Sequence, residues 1–257
     1  MRNFTFKGLL LTAVFMLLGC LSIQAANDDL ITKQITINLD KAGTLPNKIA
    51  SSEMYKITNL KIIGEINGTD WNMIREMAGR DNRGYGTEGK LSVLDLSEAK
   101  IVKGGDSYYP GDNCYTSNDE IGEKAFYDCS RLTSLTLPAG ITSIGEFAFS
   151  YCSGLTSIYV YAEKVPRIGR YAFEGCASRK CTLYVPKGTY DNYRLSELGY
   201  FENIVEFDAT GIDKTTTSTD VEEVSRYSLN GQRLAVPVKG LNIVKYSDGT
   251  VRKVVVK

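Results

Sequence analysis

Apolar positions recur in step along the middle of this chain, and the step defines its architecture. Ile121-Gly122 returns as Ile144-Gly145 and Ile168-Gly169; Ala125-Phe126 returns as Ala148-Phe149 and Ala172-Phe173; Cys129 returns as Cys152 and Cys176. The Ile-Gly and Ala-Phe series advance by 23 residues and then by 24. A second series fills the other half of each unit: Leu132, Leu135, Leu137, then Leu155, Ile158, Val160, then Leu183 and Val185. A repeat this short cannot bury its own apolar face, so successive units must stack into a solenoid.

Each unit reads in the same way. Leu135 and Leu137 alternate, so both side chains share one face of a short strand. Pro138-Ala139-Gly140 turns the chain, because proline ends ladder pairing and glycine tolerates unusual dihedrals. Ile141 and Ile144 point back inside, followed by a small residue beside a large one at Ala148-Phe149. Stacking predicts internal columns of Phe126, Phe149, Phe173 and of Cys129, Cys152, Cys176. The third unit departs from the pattern: Lys180 stands at its first leucine position and Cys181 is extra, so irregularity is expected there.

The pattern I-G-x-x-A-F-x-x-C-x-x-L-x-x-I/L-x-L/V-P over Ile121–Pro186 resembles the BspA-like leucine-rich-repeat surface proteins of anaerobic Gram-negative bacteria. The resemblance implies a non-catalytic adhesion protein whose partners are host matrix proteins, bacterial surface proteins or glycans. It implies no particular ligand.

The flanks predict smaller elements. Ile35, Ile37 and Leu39 alternate with polar residues as in a half-buried strand, and Asn59–Ile66 reads as a second one. Leu45–Ala50 reads as a short helix behind Thr44 and Pro46. Asn67-Gly68 is a strong turn dipeptide, after which Thr69 or Asp70 is expected to cap a helix running to Met77. Leu91-x-x-Leu94-x-Leu96 repeats the strand signature, but Leu132 lies 41 residues beyond Leu91, so residues 100–120 form an insertion. Beyond the third unit, Tyr190–Leu198 reads as a helix and Phe201–Phe207 as a last strand. The threonine-rich stretch 208–223 is a linker by composition. Tyr227–Arg233 carries an Asn-Gly turn at Asn230-Gly231, and Leu241–Tyr246, the Ser247–Thr250 turn and Val251–Val256 form a hairpin. This end resembles the C-terminal β tails of exported proteins from the same bacteria, some of which act as sorting signals.

The expected fold is therefore α+β around a β solenoid: a short leucine-rich-repeat stack of about 23-residue units at 91–207, with an N-terminal αβ cap at 26–90 and a small all-β module at 224–257. Arg2 and Lys7, the apolar run Gly8–Leu21 and Ala25-Ala26 have the order of a secretory signal peptide over residues 1–25. Leu17-Leu18-Gly19-Cys20 is also similar to a bacterial lipobox, in which Cys20 would carry lipid, and Ala25-Ala26 is the rival cleavage site. Later residues contain no run long and apolar enough for a transmembrane helix. The expected location is exported, at the outer cell surface or extracellular, with the periplasm also open, and the chain is expected to be a monomer.

Composition narrows the chemistry. The chain carries 30 basic and 30 acidic residues and no histidine. The lack of histidine removes Ser-His-Asp and Cys-His catalysis and every His-containing zinc site. Balanced charge gives no reason to expect nucleic acid as a partner. From Arg226 onward seven Lys or Arg face one acid, Asp248, a bias that would suit an anionic surface polymer or a solvated hairpin. Cys176 and Cys181 are close enough in sequence for a bridge, whereas Cys129, Cys152 and Cys176 at the repeat position suit small buried hydrophobes. Asp106, Asp112, Asn113 and Asp119 offer oxygen atoms, but their spacing does not match a calcium-binding helix–loop–helix motif. No cofactor or metal is expected.

Candidate binding residues come from what the strands hold outward. Aligned units give a column of Asp95, Thr136, Tyr159 and Tyr184, beside a column of Ser97, Pro138, Tyr161 and Pro186. Tyr159, Tyr161 and Tyr184 would form an exposed aromatic cluster. The insertion adds Tyr108, Tyr109 and Tyr115, as contact residues or as a cover over the Leu91–Leu132 junction. The competing reading is a carboxylate-dependent glycan-acting enzyme, although no acidic pair stands out by spacing.

Overall fold

The structure, a computed structural model, describes residues 30–109, 111, 113–209, 223–228, 232–234, 236–246 and 251–256. The signal-peptide reading of residues 1–25, Cys20, Asp112, the Asn230-Gly231 turn, the Ser247–Thr250 turn and nearly all of the linker lie outside those residues. The chain divides into two compact units, Met1–Ala209 and Thr210–Lys257.

The first unit is built on one long parallel sheet. Its strands are β1 (Ile35–Leu39), β2 (Asn59–Ile66), β3 (Val93–Asp95), β4 (Ala99–Ile101), β8 (Ser134–Thr136), β10 (Ser157–Tyr159), β12 (Thr182–Pro186) and β13 (Asn203–Phe207). Seven of them follow the order β1-β2-β3-β8-β10-β12-β13, and β4 pairs with the far end of β2. Every pairing is parallel, and one register row runs through Leu60, Leu94, Leu135, Ile158, Leu183 and Ile204. The first five of these side chains are fully buried. The solenoid-like stack therefore reaches back to Ile35, into the segment expected to act as a cap.

Three two-residue strands close the other side of each unit: β7 (Glu120–Ile121), β9 (Ser143–Ile144) and β11 (Arg167–Ile168), parallel in the order β11-β9-β7. The glycine after each isoleucine follows from this packing. A Cβ on Gly145 would stand 2.6 Å from the Glu123 nitrogen, and one on Gly169 would stand 2.5 Å from that of Glu146. Only a bare backbone lets neighbouring units approach this closely.

Between the two sheets lie the expected columns. Phe126 and Phe149 stack with centroids 5.3 Å apart, as do Phe149 and Phe173 at 5.1 Å. Tilted rings terminate the column, Trp71 against Phe126 at 5.2 Å and Phe201 edge-on to Phe173 at 5.1 Å. Cys129, Cys152 and Cys176 are buried alongside, and all five described cysteines are free thiols, Cys176 and Cys181 included. Lys180 is exposed, and the extra Cys181 beside it is fully buried.

Several flanking elements differ from expectation. The helix Gly68–Met77 begins at Asn67, not at Thr69 or Asp70. The Asn67 side chain accepts from Thr69 N, while Asp70 accepts from Asn67 N, so the turn dipeptide is itself the cap. Asp70 is fully buried because it also accepts from Gly43 N and Leu45 N, which anchors the preceding loop. Leu45–Ala50 shortens to one 3-10 turn, Leu45–Asn47. The insertion at 100–120 is not an open loop. It contains β4 and an antiparallel pair, β5 (Gly104–Tyr109) with β6 (Cys114–Thr116), packed on the helix through Thr69–Asp106 and Asn72–Ser107 hydrogen bonds.

The second unit is an antiparallel four-stranded sheet in the order β15-β14-β16-β17, with β14 at Glu223–Ser228, β15 at Arg233–Leu234, β16 at Gly240–Tyr246 and β17 at Val251–Val256. Arg226, the first residue of the basic run, is buried and engages Glu223 and Asn242.

Candidate functional site

The outward row of the long sheet is read directly from its register. Thr36, Lys61, Asp95, Thr136, Tyr159, Tyr184 and Val205 lie side by side across seven strands. Asp95, Thr136, Tyr159 and Tyr184 are thus brought into one line, as the aligned repeats predict.

The row is polar at one end and aromatic at the other. Lys61 Nζ sits 2.7 Å from Glu98 and 3.3 Å from Asp95. Burial disfavours the Lys61 charge, but these two carboxylates outweigh it and hold its pKa above the ordinary lysine value. At the other end Tyr159 and Tyr184 stack almost parallel, 4.3 Å apart with an interplanar angle of 7°. Phe207 stands edge-on to Tyr159 at 5.9 Å and to Tyr161 at 4.9 Å. Burial first, and then the neighbouring Tyr184, raises the Tyr159 pKa, so its hydroxyl remains a neutral hydrogen-bonding group at physiological pH.

All four rings are half-buried. Beside them the next outward row supplies Ser134, Ser157 and Thr182, again in register. The face therefore offers a stacked aromatic cluster flanked by hydroxyl groups, a combination that suits contact with a sugar ring or an aromatic-rich peptide. Phe207 escapes a reading of the repeats because it lies on β13, outside the periodic units; its register partner is Pro186. Ser97, Pro138 and Pro186 do not extend this surface equally, since Pro138 and Pro186 are buried.

The insertion tyrosines separate into three environments. Tyr108 is 1% exposed, donates to the Glu123 carbonyl at 2.9 Å and lies 6.2 Å from Trp71, so it is a core residue and not a contact residue. Burial drives its pKa far above the ordinary tyrosine value. Tyr109 is half-buried, with the Arg75 guanidinium 5.2 Å and the Lys124 ammonium 5.4 Å from its ring centre. Tyr115 is exposed.

A second aromatic group, not anticipated from the strand pattern, lines the turns opposite the long sheet. Tyr109, Tyr127 and Tyr151 contact edge to face, and Phe147 stacks on Tyr171 at 5.4 Å. Lys124, Phe147 and Tyr171 occupy equivalent left-handed positions with φ between 53° and 57°.

Other chemistry is muted. Burial pushes the Cys129 and Cys181 thiols up to about 11 and that of Cys176 to about 12, which keeps them protonated and poorly nucleophilic. Among the described residues no three His, Cys, Asp or Glu side chains are placed to hold a metal ion. The Asp106 carboxylate is engaged by Thr69. No helix among the described residues is long and apolar enough to cross a membrane.

Residues 117–234 match the BspA type leucine rich repeat region, in 6 copies. That stretch of the chain is similar to the repeats of those proteins. The match begins inside the insertion, whereas the parallel sheet starts 82 residues earlier at Ile35. It also runs past β13 to residue 234, where the described residues pair antiparallel, so the repeat geometry ends at Phe207. A search of curated proteins found no match.

Proposed function

We propose that the protein is a non-catalytic cell-surface or secreted binding protein, and that it engages protein or glycan partners through the outward face of its leucine-rich-repeat sheet. The observation that carries this reading is the half-buried ring cluster of Tyr159, Tyr184, Tyr161 and Phe207 on a rigid parallel sheet. Rings held by a scaffold give contact area at little entropic cost, which is what a recognition surface requires. Similarity to the BspA type repeat supports it, since such repeats commonly serve surface binding. Host matrix proteins, bacterial surface proteins and glycans are the partner classes that this face suits, and the protein acts outside the cytoplasm in this reading.

The test is a screen of the full chain against a glycan array and a panel of extracellular-matrix proteins. A hit should weaken by at least about tenfold, near 1.4 kcal/mol, in Tyr159→Ala and Tyr161→Ala. Undiminished binding by both variants would place the site elsewhere.

A further inference from the structure

The turns opposite the long sheet form a hydrogen-bond ladder with a direction. Each unit donates three backbone N–H groups to the unit after it. Lys124, Phe126 and Asp128 donate to the carbonyls of Glu146, Ala148 and Ser150, at 3.0, 2.7 and 2.8 Å. Phe147, Phe149 and Tyr151 donate in turn to Arg170, Ala172 and Glu174, at 3.2, 2.7 and 2.7 Å. The ladder therefore presents carbonyls at its first end and N–H groups at its last.

Those two ends are treated differently. At the first end the carbonyl of Glu123 accepts from Tyr108, and that of Ala125 accepts from Trp71 and Arg75. At the last end the corresponding donors are the amides of Tyr171, Phe173 and Gly175. None of the three has a partner among the described residues. They border a groove of about 450 Å³ whose other wall carries Glu197 and Tyr200. Tyr171 and Tyr200 are about half exposed.

The core behind this groove is already closed. Phe201 lies edge-on against Phe173, in the position where the next phenylalanine of the column would stack. What is left unfilled is the main-chain ladder alone. The preceding junctions show what completes it: a backbone that offers carbonyls at alternate residues, around a small side chain such as Ala148 or Ala172. At the Ala148 junction that backbone is a run of successive turns with Phe147 and Tyr151 in left-handed positions, a geometry that another polypeptide segment can repeat.

We infer that this open end of the turn ladder is a docking site for a turn-forming peptide segment of a partner protein, added as one more rung on the amides of Tyr171, Phe173 and Gly175. The surface is separate from the strand face, and its occupancy does not depend on the strand-face reading.

The probe is a synthetic peptide with the chain's own sequence 141–152 carrying Cys152→Ser, which reproduces the rung-forming turn. It is titrated into the 15N-labelled full chain. The expected result is saturable downfield shifts and slowed hydrogen exchange at the amides of Tyr171, Phe173 and Gly175, with Tyr159 and Tyr184 unmoved. Tyr171→Gly removes a groove wall and relaxes a left-handed position, and should weaken the peptide about tenfold. Amides at these three positions that neither shift nor gain protection at saturating peptide would overturn the proposal. So would shifts confined to the strand face. Protection already present without peptide, together with a sedimenting dimer, would overturn it in favour of a second copy of the chain.

Discussion

The Cys152 thiol donates to the carbonyl of Phe126, one unit back, across 2.9 Å, and Cys176 repeats the contact to Phe149 at 3.0 Å. The repeated cysteine is thus more than a small apolar filler. It ties each unit to the one before, at a carbonyl that also accepts from the local backbone. Cys152→Ala should cost about 1–2 kcal/mol, from a weak hydrogen bond and one lost buried heavy atom. Cys152→Ser, which keeps a donor, should lose less. Equal urea midpoints for the alanine and serine variants would show that the bond contributes nothing.

Phe149 lies in the middle of the ring column, with a stacked neighbour on each side. Truncation to alanine opens a cavity that two flanking rings cannot both collapse into. The expected loss is about 3–5 kcal/mol by chemical denaturation. A melting temperature within about a degree of the parent would remove Phe149 from the core.

Arg75 is fully buried, forms no ion pair among the described residues, and donates instead to the carbonyls of Lys124, Ala125 and Asp81. It caps the carbonyl end of the turn ladder. Arg75→Met removes those donors while keeping much of the apolar stem, and should cost about 3 kcal/mol. Hydrogen exchange should then accelerate first around residues 123–126. A uniform change across the stack would contradict a local capping role.

Stability should depend on alkaline pH. The Cys129, Cys176 and Cys181 thiols are raised by burial from an ordinary 9.0 to about 11, 12 and 11. Tyr108 and Tyr193 are raised in the same direction. A raised pKa means that the folded state holds the proton more tightly, so the contribution is complete below the unfolded value and fades as pH climbs through the folded one. Denaturation midpoints should be flat from pH 7 to 8.5 and fall steadily above about 9. The same burial predicts that native protein resists iodoacetamide at pH 8, whereas urea-unfolded protein reacts.

Much of the stack was legible because its cause is periodic. Ile-Gly, Ala-Phe and Cys return at fixed steps, and each return marks the same slot between two sheets. The line Asp95, Thr136, Tyr159 and Tyr184 followed from the strand alternation alone. Tyr108 could not be read that way. In a polar insertion its ring resembles a recognition residue, yet it folds under the helix and hydrogen-bonds Glu123. Asp70 was equally opaque, since its partners Gly43 and Leu45 lie more than 20 residues away.

The sequence by itself determined the repeat, its inward columns and which side chains each strand turns outward, because strand alternation and unit spacing are local properties. Tertiary structure decided the rest. It extended the sheet back to β1, placed Phe207 beside Tyr159 and Tyr161, and distinguished a capped end of the turn ladder from an open one. Those outcomes depend on which distant groups arrive at a given backbone or ring, and no periodicity in the chain encodes that arrival.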